Sequence, residues 1–266
     1  MLRTRLVRRS AAIGSAAVLG LSLATLPSSA TAEPAPSPRV GGKDFAFYDY
    51  NWSPVRYVDH FRGGLSRQWK RTGHGKAYTK NGMLTLENAN RGTMAVTLRA
   101  DRAKVGRWSV RLRARAYERG QAPARAVVEV VPAKTSARHC GARDIALANY
   151  VPKRKSVRFY ARHGKSQWAA KKRVGLRNDQ WHTYAVQVTR KHITWFVDSD
   201  PIRRTTRAAY SDTPLTMRVA LEGSKRRATN HSRLQIDTAR TFSMEKRGGV
   251  NVKAPRPKKV GYAKAC

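Results

Sequence analysis

Acidic residues are scarce in this sequence. Its 266 residues contain 16 Asp plus Glu against 54 Lys plus Arg, a formal net charge of +38 at pH 7. With so few acidic residues the sequence predicts no calcium site, and its seven histidines and two cysteines show no paired ligand spacing for zinc. A phosphate-cradling glycine loop and a serine or cysteine nucleophile motif are also missing. We therefore expect no metal and no cofactor.

Long apolar runs are absent after the first 32 residues. In that leader, four arginines precede an uncharged run over residues 11–26, which ends in small residues around 30–32. This order is typical of a secretory signal peptide, with a permanent membrane anchor as the alternative. The export route stays open. We expect residues 1–32 to be removed, leaving a secreted or cell-wall-associated protein without a transmembrane segment.

Cysteine is nearly absent, with only Cys140 and Cys266. An even number of cysteines in an exported chain permits a disulfide. If it forms, it closes a long loop and contributes roughly 4 to 5 kcal/mol in the chain-entropy model. Free thiols or an intermolecular bridge are the alternatives.

The excess of positive charge favours polyanionic partners. Outside the cell these include teichoic and uronic acid polymers, sulfated glycans, anionic lipid head groups and released DNA. An adaptation to solubility or to an acidic habitat would give the same composition. Charge alone therefore selects no ligand. Separately, we expect the protein to be a monomer.

The pattern of apolar residues predicts strands rather than helices. Trp108, Val110, Leu112 and Ala114 alternate with polar residues, the period of two that a half-buried strand requires. Six further segments alternate in the same way, and Asn81-Gly82 is typical of a two-residue hairpin turn. No segment has helical spacing over ten or more residues. The prediction is an all-β, two-sheet antiparallel β-sandwich.

Composition divides the mature chain into three parts. Residues 33–55 are a Pro/Gly-rich linker and lead-in, and residues 56–244 carry the strand pattern. Residues 245–266 are a basic tail, which we expect to be flexible. The tail is either an electrostatic arm for a polyanion or a solvated terminus.

Three stretches in the same order resemble glycoside hydrolase family 16, the family of laminarinases and endo-β-glucanases. They are residues 106–114, residues 179–186 together with 193–198, and residues 234–242. The resemblance covers about residues 56 to 244. It implies a curved, concanavalin A-like jelly roll with a sugar-binding cleft.

Family members carry their catalytic groups on one strand in the pattern Glu-x-Asp-x-x-Glu. The corresponding positions here are Asp144 for the nucleophile, Ala146 for the assisting aspartate and Asn149 for the acid/base. A retaining glycosidase needs two carboxyl groups roughly 5 to 5.5 Å apart, and an amide cannot transfer the proton. The resemblance therefore implies a catalytically degenerate site.

Glu129 is the one acid that offers a substitute, because it lies among apolar residues on the preceding strand. If its side chain faces the cleft, Glu129 and Asp144 would form an unorthodox carboxyl pair. A contact with an arginine or with solvent is the alternative.

Sugar clefts use aromatic rings for stacking and a few polar groups for orientation. The candidates for ligand binding are Trp168, Trp181 and His182, whereas Trp195 fits the core better. Several arginines add charge for an anionic glycan, and these are Arg111, Arg113, Arg125 and Arg143. Since like charges on one strand face repel, Arg111 and Arg113 predict a ledge that an anion covers, or else a plain solvated face.

Three functions compete at this point. The first is a secreted, non-catalytic protein that binds anionic polysaccharide or a cell-wall polymer. The second is an active glycosidase with a non-standard acid/base. The third is a nucleic-acid or membrane-surface binder that works through charge alone.

Overall fold

The structure is a computed structural model that describes residues 45–88, 91–117, 121–133, 143–163, 166–176, 179–207, 214–244 and 263–264. These residues form one short helix, α1 (Ala46–Asp49), and sixteen strands. No helix among them is long and apolar enough to cross a membrane. The strands are β1 (Val55–Asp59), β2 (Trp69–Gly73), β3 (Gly75–Lys80), β4 (Met83–Asn88), β5 (Thr93–Leu98), β6 (Gly106–Ala116), β7 (Arg125–Pro132), β8 (Arg143–Tyr150), β9 (Ser156–His163), β10 (Ser166–Arg173), β11 (His182–Val188), β12 (His192–Val197), β13 (Asp200–Thr206), β14 (Leu215–Glu222), β15 (Ser232–Phe242) and β16 (Ala263–Lys264).

The strands form two antiparallel sheets. In the first sheet the order is β13-β12-β11-β6-β15-β4-β3, and β1 pairs with β15. In the second sheet the order is β16-β10-β9-β8-β7-β14-β5-β2. The predicted all-β, two-sheet antiparallel sandwich is confirmed.

The core lies between the two sheets and follows from the alternation in the sequence. Trp108, Val110 and Leu112 of β6 are fully buried, as are Val157 and Phe159 of β9 on the facing sheet. Each inward side chain that leaves water contributes roughly 1.5–3 kcal/mol for a residue of Val to Phe size. This apolar contact between sheets orients the opposite faces of both sheets toward solvent.

The predicted hairpin at Asn81-Gly82 is present. Both residues have positive φ, 51° and 67°, and Lys80 pairs with Met83 across the turn. Two successive left-handed residues match the right-handed twist of the flanking strands, and glycine adopts this conformation without steric penalty. The turn thereby sets the register of β3 against β4.

The folded part extends beyond the boundaries expected from composition. Residues 45–54 were assigned to the lead-in, but Phe47 and Trp52 are buried against Phe196 and Phe242 of the first sheet. At the other end of the chain, β16 pairs with β10 inside the segment expected to be a flexible tail. The sequence missed both because short aromatic or basic segments have no strand period of their own.

Candidate functional site

A groove of about 730 Å³ lies on the face of the second sheet that points away from the core. It crosses six neighbouring strands, from β10 through β9, β8, β7 and β14 to β5. Its charged and amide-bearing lining consists of Arg125, Glu129, Asp144, Asn149, Arg158, Arg162, Gln167, Lys171, Glu222 and Lys225. The groove therefore collects side chains that are far apart in sequence.

Strand β8 supplies the centre of the groove through an irregularity. Ile145, Leu147 and Tyr150 all point into the core, although Leu147 and Tyr150 are three residues apart. The pairing of β8 with β9 shifts register between Ala146 and Asn149, which indicates a β-bulge. As a result, Asp144 and Asn149 both line the groove, and Ala146 is buried between them.

Asp144 is held by Arg162 of the neighbouring strand. The guanidinium donates from Nε to Oδ1 at 2.7 Å and from Nη2 to Oδ2 at 2.5 Å. Arg162 also stacks over the ring of Tyr160, 4.3 Å from its centroid, and donates to its hydroxyl. This bidentate pair neutralises the charge of Asp144 and occupies both of its oxygens.

Glu129 is buried beneath the groove with its own arginine. Arg218 Nη1 lies 2.5 Å from Glu129 Oε1, and only 7% of either side chain is exposed. Tyr160 donates a longer hydrogen bond of 3.4 Å to Glu129 Oε2. The same Arg218 nitrogen lies 3.4 Å from Glu222, which in turn pairs with Arg125. Glu129 thus faces the groove but meets an arginine there.

The carboxyl groups of Glu129 and Asp144 influence each other. Burial raises the pKa of Glu129, Arg218 opposes this, and the nearby Asp144 raises it further. Burial also raises the pKa of Asp144, while Arg162 and a hydrogen bond from Glu129 lower it. The two groups form a coupled carboxyl pair in which each acid also has an arginine partner.

This pair predicts an unusual pH dependence of stability. Since the native pKa of Glu129 is raised, the native state holds its proton more tightly than the unfolded chain, in which a glutamate has a pKa of about 4.3. The stabilisation is present at low pH and is lost as pH rises from about 4.3 through the native value. Relative to a Glu129→Gln variant, the wild-type protein should therefore lose unfolding free energy as the pH rises above about 4.

Urea denaturation of both proteins across this range measures the difference. Asp200→Asn makes the same chemical change at an exposed carboxylate and is the matched control. Parallel stability curves for wild type and Glu129→Gln, or a wild-type protein that gains stability relative to the variant, would contradict the prediction.

None of the aromatic candidates Trp168, Trp181 and His182 lies in the groove, and two of them are buried. The prediction for Trp168 is wrong, because its ring is fully buried between the sheets and stacks on Trp195 at 4.3 Å. His182 starts β11 in the other sheet and is buried there. Its Nδ1 lies 2.6 Å from Asp198 Oδ2. Trp195 is in the core, as expected.

Trp181, Arg111 and Arg113 lie together on the outer face of the first sheet, away from the groove. The two guanidinium carbons are 5.0 and 4.7 Å from the Trp181 ring centroid. Arg111 pairs with Asp237 at 2.7 Å, and Arg113 approaches Asp179 at 3.4 Å. These acids screen the repulsion between the arginines, so no covering anion is needed there.

The remaining candidate site residues are two arginines and the two cysteines. Arg125 lies in the groove, whereas the side chain of Arg143 and both cysteines, Cys140 and Cys266, fall outside the described residues. Within the described part of the chain, no group of three His, Cys, Asp or Glu residues is placed to hold a metal ion.

Comparison with known proteins agrees with this architecture. Residues 65–240 match the family described as glycosyl hydrolases family 16. The chain belongs to this family. No curated protein matches the sequence significantly.

Solved structures share the family 16 fold at low sequence identity. The laminarinase from Rhodothermus marinus is 17% identical with a TM-score of 0.60, and the match covers 73% of this chain and 98% of that one. The catalytic domain of an endo-1,3-beta-glucanase from Thermotoga petrophila RKU-1 is 14% identical with a TM-score of 0.60, covering 73% and 99%. The laminarinase from Flavobacterium sp. UMI-01 is 14% identical with a TM-score of 0.59, covering 71% and 100%.

The sequence reasoning missed two arginines that line the groove of this family 16 chain, Arg158 and Arg162, and the buried Arg218 that pairs with Glu129. A signal for them existed. Val157, Phe159 and Ala161 predict the inward face of β9, so Arg158 and Arg162 had to point the other way. What the alternation could not show is that this outer face lines the groove.

Proposed function

We propose that this family 16 protein is secreted and binds an acidic polysaccharide in its groove without cleaving it. The observation that carries the proposal is that the groove contains the amide of Asn149, which the family resemblance aligns with the acid/base, and an Asp144 that is already paired with Arg162. An amide neither donates nor accepts the proton that glycosidic cleavage requires. Loss of general acid/base assistance alone lowers rates by about 10² to 10⁴.

The charges along the groove favour an anionic ligand. Arg125, Arg158, Lys171 and Lys225 line it with exposed side chains. Its aromatic lining residues are Phe159, which is fully buried, and Tyr160, which Arg162 covers on one ring face. Stacking on exposed aromatic rings, the usual means of binding neutral sugars, therefore contributes little here, whereas carboxylate or sulfate groups find cations.

One observation favours hydrolysis as a second candidate function. Glu129 has a raised pKa and hydrogen-bonds to Asp144, so it could hold a proton for a leaving group while Asp144 acts as the nucleophile. This alternative requires Arg162 to release Asp144 and Arg218 to release Glu129. Both ion pairs oppose it.

Binding and cleavage can be tested together. We expect the purified protein to be retained on immobilised polygalacturonate at low salt and to release no reducing ends from it over many turnovers. An active laminarinase acting on laminarin is the positive control for the reducing-end assay. Cleavage that disappears in Glu129→Gln would establish the second candidate.

A pure charge effect predicts a different binding pattern. If charge alone drives binding, double-stranded DNA should compete as well as polygalacturonate, and affinity should depend only on salt. A preference for the glycan at fixed ionic strength is the result we expect.

A further inference from the structure

Arg158 and Lys171 stand directly opposite each other in the groove. Their Cα atoms are register partners in the antiparallel pair of β9 and β10, and both exposed side chains line the groove. Like charges at directly opposed positions of a sheet are destabilising. This position therefore concentrates positive charge at a local cost in stability.

The other arginines in the groove, and the buried Arg218 next to it, are neutralised. Arg162 pairs with Asp144, Arg125 pairs with Glu222, and Arg218 contacts both Glu129 and Glu222. Among the residues that the structure describes, no carboxylate forms an ion pair with Arg158 or Lys171. Within the described part of the chain, carboxylates thus pair with Arg125 and Arg162 in the groove and with the buried Arg218, whereas this adjacent pair of cations is available to a ligand.

The cation pair is next to the centre of the site. Asn149 is the register partner of Arg158 on one side and of Val127 on the other. One row of side chains thus runs from Lys171 through Arg158 and Asn149 to Val127, with neighbouring strands about 4.8 Å apart. Beyond Val127 the row continues with Ala220 and Ala95, which form a small apolar cluster with it.

This arrangement has two chemically different ends. A sugar chain that lies across the strands meets two cations on the β9–β10 side of Asn149 and, on the β7–β14 side, Arg125 already paired with Glu222. Arginine can hold a carboxylate or sulfate through two parallel hydrogen bonds, and the lysine ammonium adds a point charge.

We propose that Arg158 and Lys171 form the subsite for the carboxylate or sulfate substituent of one sugar unit, bound on the β9–β10 side of Asn149. This inference rests on the proposed binding function and adds the position and chemistry of the specificity. It assigns recognition to a charged substituent rather than to the sugar ring.

The test compares matched ligands and matched variants. Oligogalacturonate and its methyl ester share one backbone and differ in the esterification of the carboxyl groups, which removes their charge, while dextran sulfate and dextran form the equivalent sulfate pair. Binding is measured by calorimetry at fixed ionic strength for wild type, Arg158→Gln, Lys171→Gln and the double variant. Arg190→Gln/Lys191→Gln removes the same charge from exposed positions on a turn of the first sheet and is the control.

We expect each groove substitution to weaken binding of oligogalacturonate or dextran sulfate about tenfold, and the double variant to bind the charged and uncharged forms equally. The charged ligand that responds identifies the substituent as carboxylate or sulfate. The melting temperature of the unliganded variants should stay the same or rise, because the substitutions remove like-charge repulsion. If the substitutions weakened binding by destabilising the fold, the melting temperature would fall instead.

Failures of the two proposals differ in this experiment. A wild-type protein that binds neither charged glycan contradicts the proposed function itself. A wild-type protein that binds one of them, together with a double variant that binds it equally well, contradicts only the subsite. An equal loss in the Arg190→Gln/Lys191→Gln control would also overturn the subsite, because binding would then follow total charge.

Discussion

Replacing Glu129 with leucine should lower the free energy of unfolding by about 3 kcal/mol or more. Arg218 is as deeply buried as Glu129, and their side chains meet at 2.5 Å. Without Glu129, the ion pair left to the guanidinium among the described residues is the longer contact of 3.4 Å to Glu222. A buried charge without an adequate partner is the main source of the expected loss, which urea denaturation measures.

The double variant Glu129→Leu/Arg218→Met separates the ion pair from packing. Removing both charges and filling the space with apolar groups is often neutral or stabilising, so most of the lost stability should return. If the double variant is as unstable as Glu129→Leu, the cause is packing rather than the unpaired arginine. Recovery would show that Glu129 serves the fold of the groove floor.

Replacing Trp168 with alanine should lower the free energy of unfolding by about 3–5 kcal/mol. The indole is fully buried between the sheets and stacks on Trp195, whose Nε1 donates to the backbone oxygen of Ala146 beneath the groove. Truncation opens a cavity that the rigid sheets cannot close. Chemical denaturation of the variant measures the effect.

Trp181→Ala is the control for this experiment, because its indole is half-buried on the outer face of the first sheet. Its expected loss is about 1 kcal/mol, mostly from contacts with two arginines. A Trp168→Ala variant no less stable than Trp181→Ala would contradict the burial of Trp168. The milder Trp168→Phe should leave oligogalacturonate binding unchanged, since the ring does not line the groove.

The motif on β8 shows which features of the groove can be predicted from the sequence. The spacing Asp144-x-Ala146-x-x-Asn149 contains two adjacent residues, Leu147 and Ala148, that both belong to the core. A strict period of two would place Asp144 and Asn149 on opposite faces. The family resemblance proposed that both positions belong to one site, and the bulge explains physically how one groove receives both side chains.

The partners of the acids could not be predicted in the same way. Glu129 and Arg218 are 89 residues apart, and Asp144 and Arg162 are 18 apart, so each contact depends on which strands become neighbours. For Arg111 and Arg113, the sequence predicted the orientation of the side chains but not the sheet to which they belong. Their alternation correctly predicted an outward orientation, but only the strand order shows that β6 belongs to the sheet without the groove.

The sequence by itself determined the class of fold, the Asn81-Gly82 turn and the amide that residue 149 carries. These features depend on the period of side chains along one strand, on local backbone preferences or on residue identity at one position. Tertiary structure alone decided that the side chain of Trp168 lies in the core and that Arg158 faces Lys171 in the groove. It also decided that the two groove acids Glu129 and Asp144 are each paired with an arginine. Those outcomes depend on the pairing of distant strands, and a pattern within one strand contains no information about its neighbours.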